Sequence, residues 1–306
     1  MDNIQAGNFI KYLDNKWRIG KALDMGWLLD ILYRGAPQSR SCYYTFEFSL
    51  VSKDKSLRLL HLNFYNHSTN DLMLDILKKR ATSISRIIKY IKSTSGYKYD
   101  ATIMRRIFTL SSDFLLPVQF GIVLDNKGVQ AIKLYLSIVN QNVKQVILFA
   151  SLCRLLDLKQ QRLKRCFTNM HLDAIGIDFL PDCSFALKIY ACQSEPVDLD
   201  YIASIYGRQL KRRDKLLRPF MSLIEEISTK EVGFLWRVSG DSQIGSIKIW
   251  ARLRESIPFA ALPHPAMVKG TSLGTWLESA GSIINRVKGR VSYLTLENEK
   301  PGIYFR

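Results

Sequence analysis

Five successive units, each read as two helices followed by two strands, restrict what this chain can fold into more than any other feature. In every unit, two segments with apolar residues at helical spacing precede two segments that alternate at spacing two. The first unit predicts helices over 4–16 and 22–34 and strands over 43–51 and 56–65, parted by Ser52-Lys53-Asp54-Lys55. The second predicts helices over 69–93 and 100–109 and strands over 117–124 and 130–139, with Asp125-Asn126-Lys127-Gly128 as the turn. The third predicts helices over 142–155 and 158–168, then strands over 171–179 and 185–192 around Leu180-Pro181-Asp182-Cys183. The fourth predicts 197–206 and 212–228, then 231–238 and 245–253 around Ser239-Gly240-Asp241-Ser242. The fifth predicts 262–268 and 272–287, then 290–297 and 302–305 around Asn298-Glu299-Lys300-Pro301.

The second strand of each middle unit repeats a chemical pattern. Lys133-Leu134-Tyr135, Lys188-Ile189-Tyr190 and Lys248-Ile249-Trp250 all read lysine, aliphatic, aromatic, with the lysines 55 and then 60 residues apart. Because side chains alternate across a strand, Lys133, Tyr135 and Ser137 share one face, and Ile132, Leu134, Leu136 and Ile138 share the other. The aliphatic face needs cover, and each unit supplies two helices to cover it. The expected fold is therefore α+β, a closed ten-stranded antiparallel barrel sheathed by helices, with lysine and tyrosine turned into the lumen. A chain of 306 residues with 47% hydrophobic residues suffices for one such domain over 1–306. A lone lysine on a strand reads as solvated sheet face. Three lysines, each with an aromatic two positions on, read instead as cations in a cavity, where they repel one another unless an anion joins them. A diphosphate fits that requirement.

The net charge of +17 suits polyanionic partners in general. The two dense basic runs, 159–165 and 208–218, have helical spacing and read as solvated helix faces. The five cysteines are odd in number and form no C-x-x-C pair, which suits reduced thiols in a cytoplasm. The N-terminus lacks the layout of a signal peptide, and no apolar run is long enough to span a membrane. His61, His67, His171 and His264 show no metal-ligand spacing, and neither a glycine-rich phosphate loop nor a D-D-x-x-D segment is present. A nucleic-acid-binding protein, the alternative from another class, would expose its strand aromatics and bind with steep salt dependence. A five-fold ααββ repeat is not among the usual nucleic-acid modules, so no nucleic-acid partner is expected. A peptide-binding scaffold without chemistry would tolerate Glu47→Gln.

The order and spacing of Tyr44-Thr45-Phe46-Glu47-Phe48-Ser49-Leu50, Leu57-Arg58-Leu59, Phe120-Gly121-Ile122-Val123-Leu124, Ile175-Gly176-Ile177-Asp178-Phe179 and Gly302-Ile303-Tyr304 carry a family resemblance. The chain resembles the ABBA prenyltransferases, and among them the cyanobactin peptide prenyltransferases most. The resemblance implies that Glu47 is the catalytic glutamate that takes the acceptor's proton. It implies that Arg58, Lys133, Lys188, Lys248 and Tyr190 bind the diphosphate. It makes Tyr135, Trp250 and Tyr304 the aromatic shield of the allyl cation, with Trp250 in place of a more usual tyrosine. Parity agrees for Glu47, which points opposite to Phe46 and Phe48. The implied donor is dimethylallyl or geranyl diphosphate, and the implied acceptor a nucleophilic side chain of a peptide, cyclic in the favoured case, with a small indole or phenol as the alternative. A monomer acting in natural-product biosynthesis is expected, with no metal site of its own; whether magnesium accompanies the diphosphate stays open. Donor length turns on the parity of the seventh strand. Val232, Phe234, Trp236 and Val238 suit the helical side, which turns Gly233 and Leu235 inward as the donor-length gate and leaves room for ten carbons; the opposite parity restricts the donor to five.

Overall fold

Alternation at spacing two is realised as ten strands: β1 (Cys42–Val51), β2 (Leu57–Tyr65), β3 (Val118–Asp125), β4 (Gly128–Ser137), β5 (His171–Phe179), β6 (Phe185–Ser194), β7 (Thr229–Val238), β8 (Ile244–Pro258), β9 (Arg290–Glu297) and β10 (Lys300–Phe305). The computed structural model describes residues 3–17, 23–34, 42–52, 56–65, 70–138, 145–159, 170–194, 198–209, 215–227, 229–238, 244–263 and 268–306. Every strand is antiparallel to its neighbour in sequence, and β10 pairs with β1 from Phe48↔Phe305 to Val51↔Gly302. The sheet thus closes as the expected ten-stranded barrel, and closure removes the exposed edges that an open sheet would carry.

The helices α1 (Asn3–Trp17), α2 (Met25–Arg34), α3 (Asn70–Ser95), α4 (Ala101–Asp113), α5 (Gln145–Leu155), α6 (Leu199–Gln209), α7 (Leu217–Glu226) and α8 (Ser272–Arg286) cover the aliphatic face. On α3, Ile84, Ile87, Ile88 and Ile91 form one buried stripe at the spacing that a helix packed on a sheet requires. Leu134, Ile177, Phe234, Trp236 and Ile249 meet the sheath from the barrel and are at most 2% exposed. Each such side chain contributes on the order of 1.5–3 kcal/mol through burial. Asp100 starts α4 by accepting hydrogen bonds from the backbone N–H of Thr102 and Ile103, and Thr271 starts α8 by accepting from Gly274. Over the closing seam, the Phe9 ring lies 4.7 Å from Phe48 and 5.3 Å from Phe305, so α1 clamps the first and last strands together.

Buried polar groups of the sheath bind the barrel backbone. Arg80 of α3 donates from Nε to the Val118 carbonyl at 3.2 Å and from Nη2 to the His61 carbonyl at 3.1 Å. The Tyr97 hydroxyl donates to the Phe179 carbonyl at 2.5 Å and accepts from the Ile132 N–H at 3.3 Å.

Several expected helices differ. In the fifth unit a 3₁₀ turn at Phe259–Ala261 stands ahead of the expected helix over 262–268, of which 262, 263 and 268 are not helical and 264–267 lie outside the described residues. Pro263 and Pro265 flank His264, and prolines remove a donor and disfavour helix in the residue before them. The helix over 158–168 falls mostly outside the described residues, and Leu158 and Lys159 are not helical. The helix over 212–228 shortens to Leu217–Glu226, with 210–214 outside the described residues. His67, His264 and most of the basic run 159–165 also fall outside them. Among the described residues, no helix is long and apolar enough to cross a membrane.

Three irregularities in the ladders shape the lumen. Pairing of β5 with β6 jumps from Leu172 to Ala174 and skips Asp173. Ser292 is skipped on both sides of β9, and Lys230 is skipped where β7 meets β8. A bulged residue can share a face with its neighbour, which strict alternation forbids.

Candidate active site

The inward faces enclose two adjoining hollows. The larger holds about 860 Å³ of free space including its mouth, and the smaller about 280 Å³. Glu47, Leu60, Tyr135 and Tyr304 wall both, so these residues mark the junction.

Arg58 of β2 and Lys133 of β4 line the smaller hollow, as their parity predicts. Burial pushes the Lys133 ammonium well below the usual lysine range, and the charge of Lys188 pushes it the same way. Lys133 forms no ion pair with any other described residue. Lys188, 4% exposed, does not wall either hollow; its Nζ lies 2.5 Å from the Asp178 carboxylate, with Arg237 at 3.8 Å from the same oxygen. Burial works against the charge on Asp178, but Lys188 and Lys133 hold its carboxyl below the usual range. Lys248 walls the larger hollow and lies 3.3 Å from Glu297, whose other oxygen accepts from Ser246 at 2.9 Å. Of the three lysines only Lys133 walls the smaller hollow, and the other two carry carboxylate partners that the sequence pattern did not announce. Around the smaller hollow, Arg58 and Lys133 stand against one carboxylate, Glu47.

Glu47 is 3% exposed at the junction. Its Oε2 accepts a 2.7 Å hydrogen bond from Ser292, the residue bulged out of β9. Burial raises the Glu47 pKa, and the Ser292 hydrogen bond only partly opposes that. A carboxylate with raised proton affinity, facing a cavity, is placed to accept a proton.

Aromatic rings surround the junction. Tyr135 and Tyr190 lie 5.9 Å apart between centroids, and Trp250, Tyr293 and Tyr304 form a chain with 6.1 Å steps. Burial raises the Tyr135 and Tyr190 pKa values well above the usual range, so both remain neutral phenols. Their π-faces can stabilise a delocalised cation. Gly176 makes the seat for Tyr135, because a Cβ at that position would lie 2.8 Å from the Tyr135 ring. Tyr293 was not singled out from sequence; its position directly opposite Tyr304 across β9 and β10 is the signal that could have found it.

The seventh strand has the expected parity, with Val232, Phe234, Trp236 and Val238 fully buried under the helices and Leu235 walling the larger hollow. Gly233 does not open donor space, contrary to the sequence expectation. A Cβ there would meet the Ala191 carbonyl oxygen at 2.1 Å and the Cys192 Cβ at 2.6 Å, so the glycine permits a close approach of β6. Cys192, Leu235 and Trp250 pack together and close that side.

At the other end of the larger hollow lies a group that sequence reading missed. Arg252 donates from Nε to the Tyr293 hydroxyl at 2.6 Å and from Nη1 to Glu231 at 2.7 Å, and its guanidinium lies 5.2 Å from the Tyr293 ring centroid. Asp173, put into the lumen by its bulge, is 3.9 Å from Arg252. The Cys192 Sγ lies 3.0 Å from His171 Nε2. Asp173, Cys192 and Glu231 have donor atoms within 4.8 Å of one another, the spacing of a cation site.

No protein-family model matches the chain, and no curated protein sequence is significantly similar to it. Solved structures do match. The 5-dimethylallyltryptophan synthase from Streptomyces coelicolor superposes with a TM-score of 0.64 at 13% identity, covering 99% of this chain and 97% of that one. The 6-dimethylallyltryptophan synthase from Micromonospora olivasterospora, in complex with DMASPP and Trp, gives 0.66 at 11%, covering 100% and 97%. The prenyltransferase PriB, in a ternary complex with L-tryptophan and dimethylallyl thiolodiphosphate, gives 0.64 at 11%, covering 99% and 95%. From the first helix to the last strand, the chain has the ααββ barrel fold of these aromatic prenyltransferases.

Proposed function

We propose that the chain transfers a prenyl group from an allylic diphosphate to a nucleophile held in the larger hollow. The observation that carries this reading is the junction itself: Lys133, which has no ion pair among the described residues, with Arg58 on one side, a buried carboxylate between, and a wall of aromatic rings around both. The C–O bond of the donor breaks with its electron pair passing to the diphosphate, whose charge Arg58 and Lys133 meet directly and Lys188 and Lys248 support. Tyr135, Trp250 and Tyr304 face the allyl cation and keep water from quenching it, and Tyr190, expected at the diphosphate but walling the larger hollow beside Tyr135, joins them. The acceptor supplies the electron pair of the new bond, and the proton it loses passes to Glu47. The smaller hollow offers one carboxylate, Glu47, against the cations Arg58 and Lys133, so any magnesium would arrive on the diphosphate's own oxygens.

A five-carbon donor suits the site better than a ten-carbon one, because Leu235, Trp250 and Cys192 fill the side that Gly233 was expected to open. The donors named in the matching complexes are also dimethylallyl compounds, and tryptophan is the acceptor named there. An indole acceptor fits these parallels, while the resemblance to the cyanobactin enzymes favours a peptide side chain reaching through the mouth. Against a nucleic-acid partner stands the enclosure of the strand aromatics: Trp250 is 4% exposed and cannot stack on a base.

The test is mass spectrometry of the purified protein with dimethylallyl and geranyl diphosphate and a panel of indoles, phenols, and linear and cyclic peptides. Transfer from the five-carbon donor, lost in Glu47→Gln and Lys133→Ala, is expected, and the product names the acceptor. No transfer to any acceptor, with no calorimetric binding of the diphosphate, would overturn the reading.

A further inference from the structure

We propose that the larger hollow takes an acceptor bearing a positive charge, a guanidinium or ammonium group, and that Asp173 selects it. The proposal deepens the transfer reading by naming the class of acceptor, and rests on it for the assignment of this end to the acceptor.

Asp173 walls the hollow and is 6% exposed, yet its buried Oδ1 accepts no hydrogen bond from any described residue. The nearest cation, Arg252, is 3.9 Å away, beyond hydrogen-bond range. Arg252 is already engaged by Glu231 and Tyr293, at 2.7 and 2.6 Å. One guanidinium thus serves two carboxylates and sits far closer to Glu231, which leaves Asp173 only the weak 3.9 Å ion pair and this end of the cavity with more carboxylates than cations. A buried carboxylate without a partner is costly, and a ligand cation removes that cost. Burial raises the Asp173 pKa, and the Cys192 thiol beside it is pushed up by burial and then by Asp173 and Glu231, as a negative local field requires.

The same carboxylates, with Cys192, have the spacing of a metal site, but two of the three donors are engaged: Glu231 by Arg252 and Cys192 by His171. An anionic acceptor reaching for the remaining N–H groups of Arg252 would lie beside Asp173 and Glu231, whose charges repel it. An organic cation needs only the carboxylate of Asp173, which walls the hollow with its Oδ1 unbonded, and room. The lumen then has two poles, cations for the diphosphate and carboxylates for the acceptor, so each substrate is repelled from the other's place.

Three probes with the same indole nucleophile and different charge test this: tryptamine, N-acetyltryptamine and indole-3-propionate. Their kcat/KM values with dimethylallyl diphosphate, and their calorimetric affinities with and without dimethylallyl thiolodiphosphate, are to be compared. Tryptamine should lead N-acetyltryptamine by about tenfold or more, the scale of one charge-assisted hydrogen bond, with indole-3-propionate last. In Asp173→Asn the lead of tryptamine should fall to near unity. Equal values for the three probes, or preference for the carboxylate, overturns the proposal in the wild-type protein alone, so it does not depend on the variant folding. If no probe is alkylated, the order of affinities decides: cation first supports it, any other order or no binding overturns it. Absence of donor binding would instead count against the transfer reading, and the two failures are thereby distinguishable.

Discussion

Glu47→Gln should separate activity from stability. The carboxylate is 3% exposed and Ser292 donates a hydrogen bond to it, so a glutamine oxygen can keep that hydrogen bond while the proton acceptor is lost. A general base contributes about 10²–10⁴-fold. At about 1.36 kcal/mol per tenfold, the variant should raise the barrier by about 2.7–5.4 kcal/mol. Stability should move the other way. Burial raises the folded pKa of Glu47 above the unfolded value, so the folded state binds this proton more tightly. Its contribution is most favourable at acid pH, falls as pH climbs through the unfolded value, and is least favourable above the folded one. At neutral pH the wild-type protein carries that penalty and the glutamine variant does not. Initial rates of product formation at saturating donor, with thermal unfolding of both proteins by circular dichroism, measure the two effects. A lower midpoint for the variant together with lost activity would refute the reasoning, since Glu47 would then be a structural partner. Retained activity would refute its role as base.

Lys133→Ala should raise the unfolding midpoint of the ligand-free protein, because it removes a cation that burial disfavours, and should abolish the stabilisation that inorganic diphosphate gives the wild type. For the same reason, diphosphate affinity followed by calorimetry should fall with rising pH at a lower pH than an ordinary lysine would dictate, and Lys133→Ala should flatten that limb. Asp178→Asn leaves Lys188 buried without its counter-charge and should destabilise the fold by about 3–5 kcal/mol in urea titrations, with more recovery on adding diphosphate than the wild type shows. Gly176→Ala should displace Tyr135 and lower the transfer rate more than donor affinity, whereas equal losses in rate and affinity would show that Tyr135 does not act on the cation.

Within each strand, the face on which a side chain lies was legible because alternation is a local property of extended backbone. Leu134 and Lys133 separate as expected, as do Trp236 and Leu235, and five units with two covering helices each left a closed barrel as the consistent arrangement. Glu47, Arg58, Lys133, Tyr135, Lys248, Trp250 and Tyr304 therefore reach the lumen where their parity puts them. Helix ends were less legible, above all at Leu262 and Pro263, where proline's sterics override the apolar pattern.

What the sequence could not decide depends on register and on breaks in alternation. The counter-charge of Lys188 comes from Asp178 on the adjacent strand, and that of Lys248 from Glu297, so neither follows from the lysine pattern itself. Strict alternation places Asp173 with Ile175 and Ile177 under the helices and Ser292 with Leu294 and Leu296; bulges in β5 and β9 turn both into the lumen instead. Gly233 reads as empty space in one strand, and only the approach of β6 shows that the space is occupied by backbone. The sequence by itself determined which residues could face the cavity, because each choice is fixed within a strand. Which of them are paired, which are left open, and where a bulge reverses the choice were decided by contacts between strands far apart in the chain, and those exist only once the barrel closes.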